Sequence, residues 1–257
     1  MPTEQPSKPS DEQLRGWIAQ SWALLQAGEA LTVPAEKAEQ FELFWGPCAQ
    51  AVRFATAWAT LSTTGHAHES DVLARSALEH AMTAQWCYFT EDGVQRLRIK
   101  VEQEYHHYYG EMAEWQNMAQ VKSALAQRSP PPPKRTKSLP NFTRTILPML
   151  DANNFLRASY RALSRSVHVN DSTVLGFLFQ DGNSTGITPT PAVTNQYSAA
   201  FVAATSAMLA LAVIADHLDS DDLIRDLNQT SNDLQLPMFL NDDRNQQMHD
   251  QYDTPTN

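Results

Sequence analysis

Residues 199–215 read AAFVAATSAMLALAVIA, a run without a single charge, and the uncharged stretch reaches back to residue 182. Alanine dominates where a bilayer span would carry leucine, and Thr205 and Ser206 interrupt the run. Seventeen apolar or small residues also sit at the short limit for crossing a bilayer, which takes roughly 20. The stretch therefore predicts the buried central helix of a helical bundle, within a helix spanning about 192–218.

Working outward, the same 3.6-residue period recurs along most of the chain. Leu14, Trp17, Ile18, Ser21, Leu24 and Leu25 share a face over residues 11–26. Pro34 opens a long segment through Thr63, which Pro47 is expected to kink or divide. Ser70 reads as the cap of a helix over 71–89, and Thr90-Glu91-Asp92 as the start of another over about 94–127. Asn141 to Leu150 reads as a short helix, and Asp151 as the cap of one ending near His168. A further short helix is expected near 220–228. Residues 174–179 are the one strand-like run, with no evident partner. The expected fold is thus all-α: a single bundle of six to eight helices over 11–228. A polar, proline-rich leader (1–10) precedes it and a mobile polar tail (229–257) follows it. Within the bundle the prolines at 130–133 mark a basic connector over 128–140 that cannot be helical.

Composition narrows the function classes. Two cysteines, Cys48 and Cys87, stand far apart and outside any C-x-x-C. That excludes a disulfide scaffold and a cysteine-rich zinc module, and it fits a reducing cytoplasmic setting. Nine glycines among 257 residues argue against an all-β sandwich, which needs glycine turns. No Walker A, Rossmann glycine fingerprint or helix-turn-helix signature is present. The literal G-x-S-x-G at Gly182–Gly186 precedes Thr-Pro-Thr-Pro and has no helix after it, so it reads as a turn, not as a nucleophile elbow.

The net charge of −10 is unevenly spread. Residues 1–120 are net −8, residues 121–170 net +8, residues 171–215 net −2 and residues 216–257 net −8. A basic block in an acidic chain is able to hold phosphates through its local field. Lys134, Arg135 and Lys137 are expected on the connector, and Arg157, Arg161 and Arg165 along one helix face. The block makes RNA or another phosphate-bearing ligand the expected partner, with a homodimer as a further possibility and no membrane.

Two polar patterns interrupt apolar helices. Arg75 and Glu79 lie four apart, on one helix face. Tyr160, Ser164 and His168 follow at i, i+4 and i+8, forming a stripe beside the three arginines. Because buried polar groups need partners, the two stripes are expected to face each other. A histidine among arginines at a helix end also suits acid–base work or phosphate contact, or a capping role against the helix dipole. The single E-x-x-H at Glu104–His107 has no mate, so no metal site and no cofactor is expected.

The segments Leu73-Ala-Arg75-Ser-Ala-Leu-Glu79 and Tyr160-Arg-Ala-Leu-Ser164-Arg-Ser-Val-His168 resemble an uncharacterised family of bacterial helical proteins. That family carries an R-x-x-x-E helix and a later Y-x-x-x-S-x-x-x-H helix. The resemblance covers about residues 40–220 and implies a fold more than a reaction. The spacings of Arg75 to His80 and of Arg161 to His168 are also similar to the R-x(4–6)-H motif of HEPN-type ribonucleases, which are small helical bundles. That similarity implies a metal-independent RNA-cleaving toxin or defence protein. In it His168 would deprotonate a ribose hydroxyl and Arg161 would stabilise the phosphorane. The chain departs from the motif in having Ser76 or Ala162 after the arginine, where those enzymes often carry a polar amide residue. The alternatives are a non-catalytic helical binding or interaction protein and an irregular carboxylate–histidine metal enzyme.

Overall fold

A computed structural model describes residues 8–27, 33–115, 118–127, 133, 136–151, 153–168, 170–188, 191, 196–218 and 220–240. The described chain is mostly helical. Its elements are α1 (Asp11–Gln26), α2 (Ala38–Leu61), α3 (Ala67–Phe89), α4 (Gly93–Trp115) and α5 (Ala119–Gln127). A π-helical turn (Phe142–Ile146) then leads into α6 (Leu147–Leu150), α7 (Phe155–Ser164) and α8 (Asp171–Leu175). A hairpin of β1 (Leu178–Asp181) and β2 (Ser184–Ile187) precedes α9 (Gln196–Leu218) and α10 (Asp221–Leu234). By its internal contacts the chain falls into two compact units: residues 1–85 with 142–257, and residues 86–141.

The larger unit is built on α9. From Ala199 to Ala215 every side chain except Phe201 is buried, as the opening run of sequence requires. It is also the one described helix long and apolar enough to cross a membrane, and its apolar window is 89% buried inside the protein. α9 packs against α1, α2, α7 and α10. Each neighbour offers an apolar stripe, because its hydrophobic residues recur at helical spacing. Leu14, Trp17 and Ile18 come from α1, and Phe44, Cys48 and Val52 from α2. Polar groups that enter this core are satisfied. Trp17 Nε1 donates to Ala204 O at 3.1 Å, and the fully buried Gln85 donates through Nε2 to Leu209 O at 3.0 Å.

Several boundaries differ from the sequence expectation, each for a local reason. α2 runs unbroken over Pro47. Proline removes one N–H from the helix ladder, but Phe44, Cys48, Ala51 and Val52 around it are buried, and that burial outweighs the loss. α3 begins at Ala67 and not at Ser70, whose buried hydroxyl bonds back to Ala67 O inside the helix. The long helix expected over 94–127 is two, α4 and α5, with residues 116–117 outside the described set.

The expected leader docks at its end. Pro9 is buried, and Ser10 forms a capping box with Gln13. Residues 1–7 lie outside the described residues. The expected tail begins too early. α10 continues to Leu234, and Gln85 holds Met238 O and the Leu240 N–H through its amide. Residues 241–257 lie outside the described residues. The strand-like run finds a partner: Leu178–Asp181 pairs antiparallel with Ser184–Ile187. Gly182, at φ +59, supplies the left-handed residue of the tight turn between them, so the G-x-S-x-G is a hairpin.

The smaller unit contains α4, α5 and the last residues of α3. Arg96 pairs with Asp92 at 2.8 Å, and its carbonyl accepts the Leu139 N–H. α5 has no buried residue.

Candidate functional site

α3 presents Arg75 and Glu79 one turn apart, and α7 presents Tyr160 and Ser164 one turn apart, so each pair shares a face. The structure brings all four together. Arg75 Nε donates to Ser164 Oγ at 3.0 Å, and Nη2 donates to Glu79 Oε1 at 2.9 Å and to Tyr160 Oη at 2.5 Å. Tyr160 Oη in turn donates to Glu79 Oε1. The guanidinium carbon also lies 4.7 Å from the Tyr160 ring centroid, and Phe142 packs on that ring at 5.2 Å. Burial and the Glu79 carboxylate push the Tyr160 phenol well above its usual range, with Arg75 opposing them. The phenol therefore stays protonated and acts as a donor. The Arg75 and Glu79 side chains remain 21% and 29% exposed, so water moderates the ion pair. Chemically this is a satisfied clasp between two helices, because its donors and acceptors already serve one another.

His168 is not part of the clasp. α7 stops at Ser164, so the expected stripe ends one turn early. The chain tightens there: Arg165 N–H bonds to Ala162 O and Val167 N–H to Ser164 O. Asn170 then takes Arg165 O with its side chain at 2.7 Å. His168 is exposed on the bend that follows. The start of α7 has a different cap from the simple one expected. Asn154 is left-handed (φ 61), and Asp151 reaches past it to accept from Leu156 N at 3.3 Å and Arg157 N at 2.7 Å.

The arginine row is divided by this ending. Arg157 and Arg161 are on α7, half-buried and exposed respectively, and their guanidinium groups meet no carboxylate among the described residues. Arg165 lies past the helix end and pairs with Asp171 at 2.5 Å. Lys137 is exposed in the smaller unit, while Lys134 and Arg135 lie outside the described residues. The Arg75–His80 pair serves different neighbours. His80 Nδ1 shares a hydrogen bond with Ser76 O at 2.8 Å, and its ring lies 5.3 Å from Phe54. Among the described residues no three His, Cys, Asp or Glu side chains converge in a way that would hold a metal ion.

The sequence reading missed a cavity of about 800 Å³ in the larger unit. Its walls come from the start of α7, the first half of α9 and the chain after α10, with Lys8 and Pro9 at one side. Tyr197, Phe201 and Thr205 line it at i, i+4 and i+8 along α9. Phe155 meets Phe201 edge-on at 5.3 Å, adding a ring to the wall. Gln235, left-handed at φ 53, turns the chain so that Leu236 N–H closes on Ser231 O and Leu236 enters the lining.

Two hydroxyls of wall residues have no hydrogen-bond partner among the described residues. Thr205 is fully buried, and neither its Oγ1 nor the enclosed Tyr197 Oη makes a hydrogen bond. Burial raises the Tyr197 phenol above its usual range. Buried polar groups are ordinarily paired, so these two orphans, both closed off from solvent behind the wall, are an uncommon feature of the packing. Periodicity could not have revealed them, because a Tyr–Phe–Thr row on an alanine helix reads as core. No family model matches the chain, and no curated protein or solved structure matches it either.

Proposed function

We propose that this chain is a non-catalytic helical binding protein whose small-molecule ligand occupies the cavity beside α9. The observation that carries this reading is the cavity itself, about 800 Å³, with a largely apolar wall that includes Leu150, Phe155, Leu156, Phe201 and Leu236. The volume falls within the usual range for small-molecule pockets, roughly 300–1,000 Å³. The Arg75 clasp supports the same reading, because its groups are committed to holding α3 against α7. A titration with the dye anilinonaphthalene sulfonate tests it. One saturable site is expected, abolished in Ser198→Phe, which fills the cavity from α9, while the melting temperature is kept. Dye binding that is absent, or unchanged in that variant, refutes the reading.

A second reading rests on Arg157 and Arg161, whose side chains meet no carboxylate among the described residues: a phosphate-bearing partner, RNA foremost, lies along α7. Binding that weakens with salt, and whose salt slope falls by up to about one unit for each arginine replaced by alanine, would support it. RNA cleavage lost in His168→Ala would extend it to the HEPN-like ribonuclease. No retention of RNA at about 50 mM salt would end it.

A further inference from the structure

We propose that a second copy of this chain packs along the exposed side of α4, the two helices running antiparallel about a two-fold axis at Tyr108. Three apolar side chains carry the proposal. Val101, Tyr108 and Trp115 recur every seven residues along α4 and are 52%, 56% and 77% exposed. Seven residues is close to two helical turns, so the three form one row, about 21 Å long at 1.5 Å per residue. An apolar row at this spacing is the seam along which one helix packs on another. The other sides of α4 have their own neighbours. Leu97, Ile99 and Ala113 are buried, and Tyr105 and Tyr109 line a small crevice with Val121, Ala124 and Leu125 of α5. Packing within the chain thus leaves the row in solvent.

Charge and size both select a second, reversed copy of the same helix. Residues 93–101 hold Arg96, Arg98 and Lys100 and no acid. Residues 102–115 hold Glu102, Glu104, Glu111 and Glu114 and no lysine or arginine. A helix polarised in this way complements itself when reversed and repels itself when parallel. With the two Tyr108 rings at the two-fold axis, Glu114 of one copy falls within about 6 Å, measured along the helix, of Arg98 and Lys100 of the other. The same register sets the small Val101 against the large Trp115 at both ends, because a two-fold contact occurs twice. Small against large fills the seam evenly, whereas a parallel pair would stack tryptophan on tryptophan and valine on valine.

A seam of this length is at the small end of stable interfaces, so a Kd in the micromolar range is expected. Sedimentation equilibrium of the full chain at up to about 100 μM should show a monomer–dimer equilibrium. Tyr108→Glu and Trp115→Glu should each weaken it at least about 30-fold, as loss of an aromatic anchor does, with the helical content unchanged in circular dichroism. Cysteine pairing under mild oxidation reads the orientation, since Cys48 and Cys87 are both buried. Tyr108→Cys should give a disulfide-linked dimer, because that position meets itself. Val101→Cys alone should not, its two copies standing about 21 Å apart along the seam, but mixed with Trp115→Cys it should cross-link. Cross-linking of all three positions with themselves would assign a parallel pair and overturn the proposal. A wild-type chain that stays monomeric over the whole concentration range would overturn it as well.

Discussion

Thr205 and Asp71 are two buried polar side chains whose costs have opposite remedies. Thr205 carries a buried hydroxyl with no partner among the described residues. Replacing it by valine removes a buried orphan, so Thr205→Val should raise the stability of the ligand-free protein by about 1 kcal/mol in urea unfolding. Destabilisation by a similar amount would mean that the hydroxyl is structural. Asp71, 6% exposed on α3, has its carboxyl pushed up from 3.8 to about 7 by burial and by the neighbouring Glu69. The folded state binds this proton more tightly than the unfolded chain does. The stability is therefore complete below pH 4 and is lost as pH rises towards and through about 7. Asp71→Asn should flatten the stability profile between pH 4 and 7 and leave the protein more stable at pH 8 than wild type by a few kcal/mol, at about 1.4 per unit. A pH profile identical to wild type would contradict the assigned burial.

At the scale of elements, capping and clasping decide how α7 is placed. Asp151→Ala leaves the N–H groups of Leu156 and Arg157 without their acceptor, and should cost about 1–2 kcal/mol, read as a lower urea midpoint. Tyr160→Phe removes one donor from the clasp but keeps the ring on Phe142. Its cost should be about 1 kcal/mol, and less than that of Arg75→Ala, which strips partners from three side chains at once. The clasp was legible in the sequence because both pairs sit at i, i+4 on helices of clear period. The end of α7 was not, because the Asn170 side chain and two tightened turns override a periodic pattern that runs on to His168. The extension of α10 was hidden by a polar composition that hydropathy reads as tail, although Leu227, Leu234 and Leu236 are buried. The cavity was hidden for a third reason. A void is a property of how elements meet, and no single helix records it.

For the whole molecule, α9 organises the larger unit and the cavity opens beside its first half. Stability should follow burial. The α9 amides near Ala207–Val213 are expected to exchange slowest in native-state hydrogen exchange, and those of α5, which buries no side chain, much faster. The fold class was readable from the run at 199–215 and its helical neighbours. The division into two units was not, since the period alone does not say which helices share a core. The central claim is that the cavity beside α9 is the binding site. Amide chemical-shift mapping by NMR during titration with anilinonaphthalene sulfonate tests it most directly. The account predicts saturable shifts clustered at residues 150–156, 197–205 and 231–240. Shifts centred instead on Arg75, Glu79 and Ser164, or scattered without saturation, would contradict it.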